Sequence, residues 1–314
     1  MMDKRLPVIS IMGSTCTGKT ELAIKLCEKF PIEIISVDSA MIYEDMNIGT
    51  DKPLVDILES IKHHLINIRK PNQDYNVGDF YTNVSQIIKD IHQRNRIPLL
   101  TGGSLMYFHS LYHGLSSLPS ANNQDRIFID NLLDMYSLQD LHHCLKSIDI
   151  ISYNKINPND KQRIQRALEV YMSTGSPISS LFNTKDKFFN LYDILTIKMF
   201  SSDREVIHNK IALRIEEMIE RGLMDEVQYV FKKYNLSADS KSMKIIGYKH
   251  VLEHLLNATT IDDLKNKCLF ATRQLAKRQI TWLKQFPSNL DIDIINKDYD
   301  IIYKMIERHC NLIK

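Results

Sequence analysis

The sequence predicts an α/β fold: a P-loop-type parallel sheet flanked by helices, with a helical insertion domain and a helical C-terminal part. Three observations carry that expectation. Short apolar runs near the N-terminus are each followed by a glycine-rich or polar turn and then a helical pattern. The first such turn, "GSTCTGKT" from Gly13 to Thr20, has the G-x-x-x-x-G-K-[ST] spacing of a loop that wraps phosphates. From about Ser116 the alternation stops, and apolar residues recur at helical spacing instead.

"LPVISIM" reads as the first buried strand, and "KTELAIKLCEKF" after the loop as a helix with Leu22, Ala23, Leu26 and Phe30 on one face. "EIISV" (Glu33–Val37) is a second strand, ending in Asp38 and Ser39. "IPLLT" (Ile97–Thr101) is a third, ending in Gly102 and Gly103. Ligands of parallel sheets sit at the carboxyl ends of the strands, so these three turns should share one crevice. In the insertion, "NDKQRIQRALEVYMSTG" places Ile164, Ala167, Leu168, Tyr171 and Met172 on one helical stripe, with Asn159 or Asp160 as its cap and Gly175 at its end. "LYDILTIKMF" (Leu191–Phe200) returns the chain to the sheet, and helical patterns follow through "LFATRQLAKRQITWLKQF". The expected division is a core of residues 1–115 and 191–314 and an insertion of residues 116–190.

Bulk properties narrow the class. The 314 residues are 44% hydrophobic and 25% charged, ordinary for a globular chain, and the net charge is only +2. Any basic surface must therefore be local. The five cysteines (Cys16, Cys27, Cys144, Cys268 and Cys310) are scattered without C-x-x-C spacing, which argues against a disulfide framework or zinc site and fits a reducing cytoplasm. "MMDKRLPVISIMG" is too short in its apolar run for a secretion signal, and nothing reaches the roughly 18 apolar residues of a membrane span. The paired histidines His63–His64 and His142–His143 show no metal spacing with carboxylates and read as structural or exposed.

The chemistry-bearing residues start at the loop. Its N–H groups and the following helix N-terminus favour an anion, Lys19 adds a positive charge, and the Thr20 hydroxyl is a candidate Mg²⁺ ligand. Asp38 stands at the ligand end of a strand, where it is either a general base, a metal ligand or the cap of the next turn. "IPLLTGGS" supplies no acid to the third strand end, and "NKD" at Asn296–Asp298 is not the N-K-x-D of a GTPase, so an ordinary nucleoside triphosphatase is disfavoured. At 100° per residue, Arg273, Lys277 and Lys284 fall on one strip, beside Gln274, Arg278, Thr281 and Gln285, while Leu275, Trp282, Leu283 and Phe286 face away. Such a face suits a nucleic-acid backbone, although a solvated helix surface has the same charges. Arg163 with Arg166, and "KIIGYK" (Lys244–Lys249), form two further basic groups.

Together "GSTCTGKT", "ISVDSAMIYEDMNIGTDKP", "LLTGGSLMYF", "NDKQRIQRALEVYMSTG", "RIEEMIERGLMDEV", "IGYK" and "ATRQLAKRQITWL", in this order, resemble the tRNA isopentenyltransferase family in its bacterial, dimethylallyl-transferring form. The resemblance runs from about Val8 to Phe286. It implies a monomeric, cytoplasmic enzyme with Mg²⁺ as cofactor, which moves a dimethylallyl group from dimethylallyl diphosphate to the exocyclic amine of the adenosine 3′ of the tRNA anticodon. It also implies site residues. Asp38 would be the base, with Ser104 and Arg214 also catalytic. Gly13, Ser14, Thr15, Cys16, Thr17, Gly18, Lys19 and Thr20 would hold the diphosphate. The tRNA anticodon loop would meet Asp38, Ser39, Ala40, Met41 and Ser104 at the target base. Further tRNA contacts would be Arg126, Gln162, Arg163, Ile164, Gln165 and Arg166 in the insertion, then Lys244, Gly247, Tyr248 and Lys249, and Arg273, Gln274, Lys277 and Arg278 on the last basic helix. One departure is Ser104, where the family usually has threonine: the hydroxyl stays and the methyl is lost. Two other classes stay open: a P-loop small-molecule kinase, which shares the loop and the strand order, and a nucleic-acid-binding module with a structural phosphate site and no turnover.

Overall fold

The computed structural model describes residues 5–115, 118–119, 123–181, 188–257 and 259–310. The chain divides into two compact units, one of Met1–Tyr112 with Phe188–Lys314 and one of His113–Lys187. The expected insertion boundary at Ser116 lies outside the described residues.

In the larger unit, β1 (Leu6–Gly13), α1 (Lys19–Lys29), β2 (Ile32–Val37), α2 (Val55–Ser60), β3 (His63–His64), α3 (Val77–Gln93), β4 (Ile97–Gly102) and α4 (Leu105–His113) form the N-terminal half of the sheet and its helices. Val8, Ile9, Ile11 and Met12 of β1 and Ile34, Ile35 and Val37 of β2 are buried almost completely. An unbroken apolar run is what a parallel strand covered on both faces requires. The smaller unit holds α5 (Asn123–Met135), α6 (Leu138–Ile148), α7 (Ile150–Lys155) and α8 (Lys161–Thr174). The larger unit then resumes with β5 (Tyr192–Phe200), α9 (Arg204–Glu220), α10 (Leu223–Lys233), α11 (Tyr248–Asn257), α12 (Ile261–Leu283), β6 (Leu290–Asp293) and α13 (Tyr299–His309). No helix among the described residues is long and apolar enough to cross a membrane.

The strand order is β3-β2-β4-β1-β5-β6, and each described pairing is parallel. The chain leaves β1 toward β2 on one side and β5 pairs on the other, so a crevice opens at the carboxyl end of β1. Gly18 enters α1 with φ 80°, in the left-handed region that glycine tolerates, and no side chain caps the helix. The first N–H groups of α1 are therefore left for an external acceptor.

Two strands escaped the sequence reading. β3 is only two residues long, held to Ile34 and Ile35 of β2, and β6 is a short acidic edge strand in which Ile292 alone is buried. His64 Nε2 lies 2.7 Å from the buried Glu33 carboxylate, which Arg94 also grips through its Nε and Nη2 at 3.0 and 2.7 Å.

The smaller unit has its own core of Ile129, Leu141, Leu145, Ile164, Ala167, Val170 and Ile178. Asp160 caps α8 by accepting from the Arg163 N–H, and Gly175 ends it at φ 68°. The buried stripe is rotated from the expected one: Val170 and Glu169 are inside, and Met172 is exposed. The cause is an ion pair. Glu169 is 3% exposed and accepts from Arg126 at 2.8 Å and from Arg166 at 3.2 Å.

Candidate active site

A cleft of about 1240 Å³ opens in the larger unit, walled by the loop after β1, the ends of β2 and β4, and parts of α9 and α12. Lys19 points back along the loop, donating to the Ser14 carbonyl at 2.5 Å and to Thr17 Oγ1 at 3.3 Å. Burial, and after it the nearby Arg214 guanidinium, brings its ammonium down to about 8. Two cations are thus held close together, and among the described residues Lys19 makes no hydrogen bond to a carboxylate, an arrangement that favours an anion. Arg214, on α9 between buried Ile211 and Ile215, donates to Thr15 Oγ1 at 2.6 Å and to Asp51 at 3.0 Å. Its Nε is buried and has no acceptor among the described residues. Thr20 is exposed at the start of α1 and lines the cleft.

Asp38 follows β2 and lines the same cleft. Its Oδ1 accepts from the N–H groups of Ala40 and Met41 at 2.8 and 3.2 Å. The turn-capping role is thus real, and it leaves Oδ2 unengaged among the described residues. Ser104, after β4, accepts from the Ser39 N–H at 2.9 Å and donates to Ser39 Oγ at 3.2 Å. Gly13–Thr20, Asp38–Met41, Ser104 and Arg214 therefore belong to the same unit, and most of them to the same cleft wall.

The segment that carries Asp51 is pinned from beneath. Glu226 of α10 accepts the successive N–H groups of Asn47, Ile48 and Gly49 at 2.8, 2.8 and 3.0 Å, and Tyr248 donates its hydroxyl to the same carboxylate. Lys52, buried and lowered to about 8 by that burial, donates to the Tyr43 carbonyl and to Asn67 Oδ1. Sequence reasoning passed over Glu226, Asp51 and Lys52, although "TDKP" does signal a charged turn. It also missed Gln279 of α12, whose amide accepts from the Thr15 N–H at 2.8 Å and donates to the Gly103 carbonyl at 2.9 Å.

The expected basic contacts separate into groups. On α12, Lys277 and Arg278 are exposed, and Arg278 lines the cleft. Arg273 and Gln274 are half-buried, and the Arg273 Nε has no acceptor among the described residues. The helical projection needs correction at both edges. Lys284, Gln285 and Phe286 follow the end of the helix, and Leu275 and Trp282, expected to face away, line the cleft. Lys244 pairs with Asp239 at 3.3 Å and Lys249 with Glu253 at 3.8 Å. Tyr248 is wholly buried with its hydroxyl on Glu226, and Gly247 is buried too. In the smaller unit, Arg163 pairs with Asp160 at 3.3 Å, while Gln162 is exposed and Gln165 half-buried. Ile164 is fully buried, its side chain part of that unit's core.

Fold and cleft define a P-loop α/β protein with a cationic cradle and the Asp38 carboxylate in one cleft. Residues 41–286 match the model of the IPP transferase family. The chain is 40% identical over 292 residues, 93% of its length and 90% of the relative's, to the tRNA dimethylallyltransferase of Nitrosospira multiformis. Its fold matches the full-length tRNA isopentenylpyrophosphate transferase of Bacillus halodurans with a TM-score of 0.66 at 30% identity, covering 98% and 96% of the two chains. A eukaryotic dimethylallyltransferase acting on tRNA matches with a TM-score of 0.80 at 28% identity, covering 96% and 78%. The chain belongs to the IPP transferase family, and it is an enzyme of the transferase class.

Proposed function

We propose that this enzyme transfers a dimethylallyl group from dimethylallyl diphosphate to the exocyclic amine of the adenosine 3′ of the anticodon in tRNA, giving isopentenyladenosine and diphosphate. The observation that supports this best is the pairing, in one cleft, of the Lys19–Arg214 cradle with an Asp38 carboxylate whose Oδ2 is unengaged. The amine nitrogen forms a bond to the allylic C1 as the bond from C1 to the diphosphate oxygen breaks, and the electron pair leaves with that oxygen. The adenine amine is a weak nucleophile, because its lone pair is delocalised into the ring. Asp38 Oδ2 takes its proton as the new bond forms. Lys19, Arg214 and the open N–H groups of α1 face the negative charge that gathers on the leaving group.

A magnesium ion fits this site. Mg²⁺ keeps several waters, takes oxygen from substrate phosphates and needs only one or two protein ligands, and the exposed Thr20 hydroxyl at the head of α1 is one such donor. When bound, it neutralises part of the diphosphate charge. The RNA side is assigned to Lys277, Arg278 and Arg273 of α12 and to the helical unit of residues 116–190, with the target base drawn out of its stack toward Asp38.

The test is to incubate the protein with unmodified tRNA and dimethylallyl diphosphate labelled in its prenyl carbons. The label should enter the RNA and be recovered as isopentenyladenosine after digestion. ATP labelled in its terminal phosphate should transfer nothing. Binding of tRNA without incorporation rejects the assignment in favour of a binding module, and transfer of phosphate rejects it in favour of a kinase.

A further inference from the structure

Gln279 ties the phosphate loop after β1 to the neighbouring turn after β4. It belongs to α12, next in sequence to the exposed Arg278, and its amide turns inward. Oε1 accepts from the Thr15 N–H in the phosphate loop, and Nε2 donates to the carbonyl of Gly103. Thr15 is gripped a second time through Oγ1 by Arg214. Its N–H is therefore already engaged and is not among the groups left open for a diphosphate. Gly103 precedes Ser104, whose hydroxyl holds Ser39 next to Asp38. A Cβ on Gly103 would lie 2.6 Å from the Gln279 amide nitrogen, so a side chain there would push the amide away.

Resting on the function proposed above, we propose that Gln279 is a positioning residue. It sets the phosphate loop against the Gly103–Ser104 turn and so fixes the leaving group relative to the base. A terminal amide supplies an acceptor and a donor from one rigid plane, which this bridge needs. A carboxylate keeps the acceptor for Thr15 but presents an oxygen to the Gly103 carbonyl and an anion to the diphosphate. Alanine keeps neither bond. Because Gln279 lies beside Lys277 and Arg278, RNA seated on those cations bears on the same helix that holds Thr15. Donor affinity should then depend on whether RNA is bound, and by linkage RNA affinity on whether the donor is bound.

The experiment compares wild type, Gln279→Ala and Gln279→Glu in single-turnover prenyl transfer at saturating dimethylallyl diphosphate and tRNA. Donor affinity is measured with and without tRNA, alongside a melting curve for each protein. Displacement of reacting groups by about 1 Å costs on the order of 10²-fold in rate, and a loss of that order is expected for Gln279→Ala with its melting curve and tRNA affinity near those of wild type. The gain in donor affinity caused by tRNA should shrink in Gln279→Ala. Gln279→Glu should bind the donor more weakly than Gln279→Ala does, because it adds an anion. A Gln279→Ala rate within twofold of wild type overturns the proposal. So does a rate loss in both variants that simply follows a lowered melting temperature, since Gln279 is then structural. Absence of turnover in the wild type overturns the proposed function, and this inference with it. Wild-type turnover with an indifferent Gln279→Ala overturns the inference alone.

Discussion

On α8, Arg166 meets the buried Glu169, Arg126 joins it there from α5, and Arg163 lies against Asp160. On α12, Arg273, Lys277 and Arg278 meet no carboxylate within ion-pair distance among the described residues, and the two exposed ones project a net positive charge. Both helices read as net basic in the sequence. Arginines that satisfy a buried carboxylate hold a unit together and offer little field to a partner. Unpaired cations contribute almost nothing to the fold but attract phosphate. The difference separates cations that satisfy Glu169 from cations left without a carboxylate, and the two kinds should respond oppositely to mutation.

The largest expected effect isolates chemistry from both sets. Asp38→Asn should slow single-turnover transfer by about 10²–10⁴-fold, while the salt dependence of tRNA binding stays as in wild type. An unaltered rate would reduce Asp38 to a cap of its turn. Next comes the paired set: replacing Arg126 and Arg166 together by alanine strands Glu169 in the core and should cost roughly 3–5 kcal/mol of stability in the smaller unit. Denaturant melts read this directly, and an undisturbed melt would mean that Glu169 does not depend on its arginines.

The cradle gives a pH test. Lys19 titrates near 8 in the free protein, so it is cationic below that pH and loses its charge as pH rises through it. Donor affinity should change little from pH 7 to 8 and then fall, by up to about tenfold per pH unit, because the bound diphosphate requires the protonated form. Lys19→Arg should keep binding flat to higher pH. Calorimetry across pH 7 to 10 checks both curves, and matching curves would remove Lys19 from the cradle. The smallest effect belongs to the unpaired set. Lys277→Gln should flatten the plot of log affinity against log salt by about 0.7 for one single-strand phosphate contact, without moving the melting curve. Arg163→Gln is the counterpart on α8. A slope change there and none at Lys277 would invert the comparison.

Much of this fold and site is legible in the sequence. The loop, the three apolar strands, α8 with its Asp160 and Gly175 caps, and Asp38 at a strand end all follow from local patterns whose causes are local. The losses share another cause. Glu169 belongs inside because Arg126, far away in sequence, meets it there, and no periodicity of α8 announces that. Tyr248 looked like part of a basic surface segment, yet its ring fills the core and its hydroxyl serves Glu226. Gln279 was overlooked because a helical wheel ranks positions by polarity, whereas its importance comes from the two backbone groups it spans. β3 and β6 are too short to form a pattern.

Glu226 has one more consequence. Three successive backbone N–H groups converging on one point make a concavity that elsewhere receives phosphate, and at Asn47–Gly49 this concavity is filled by the protein's own carboxylate. Among the described residues, the larger unit thus carries a plugged nest at Asn47–Gly49 and an open one beside Lys19. An oligophosphate arriving from solution meets a carboxylate at the first and cations at the second, so the fold itself directs it to a single address.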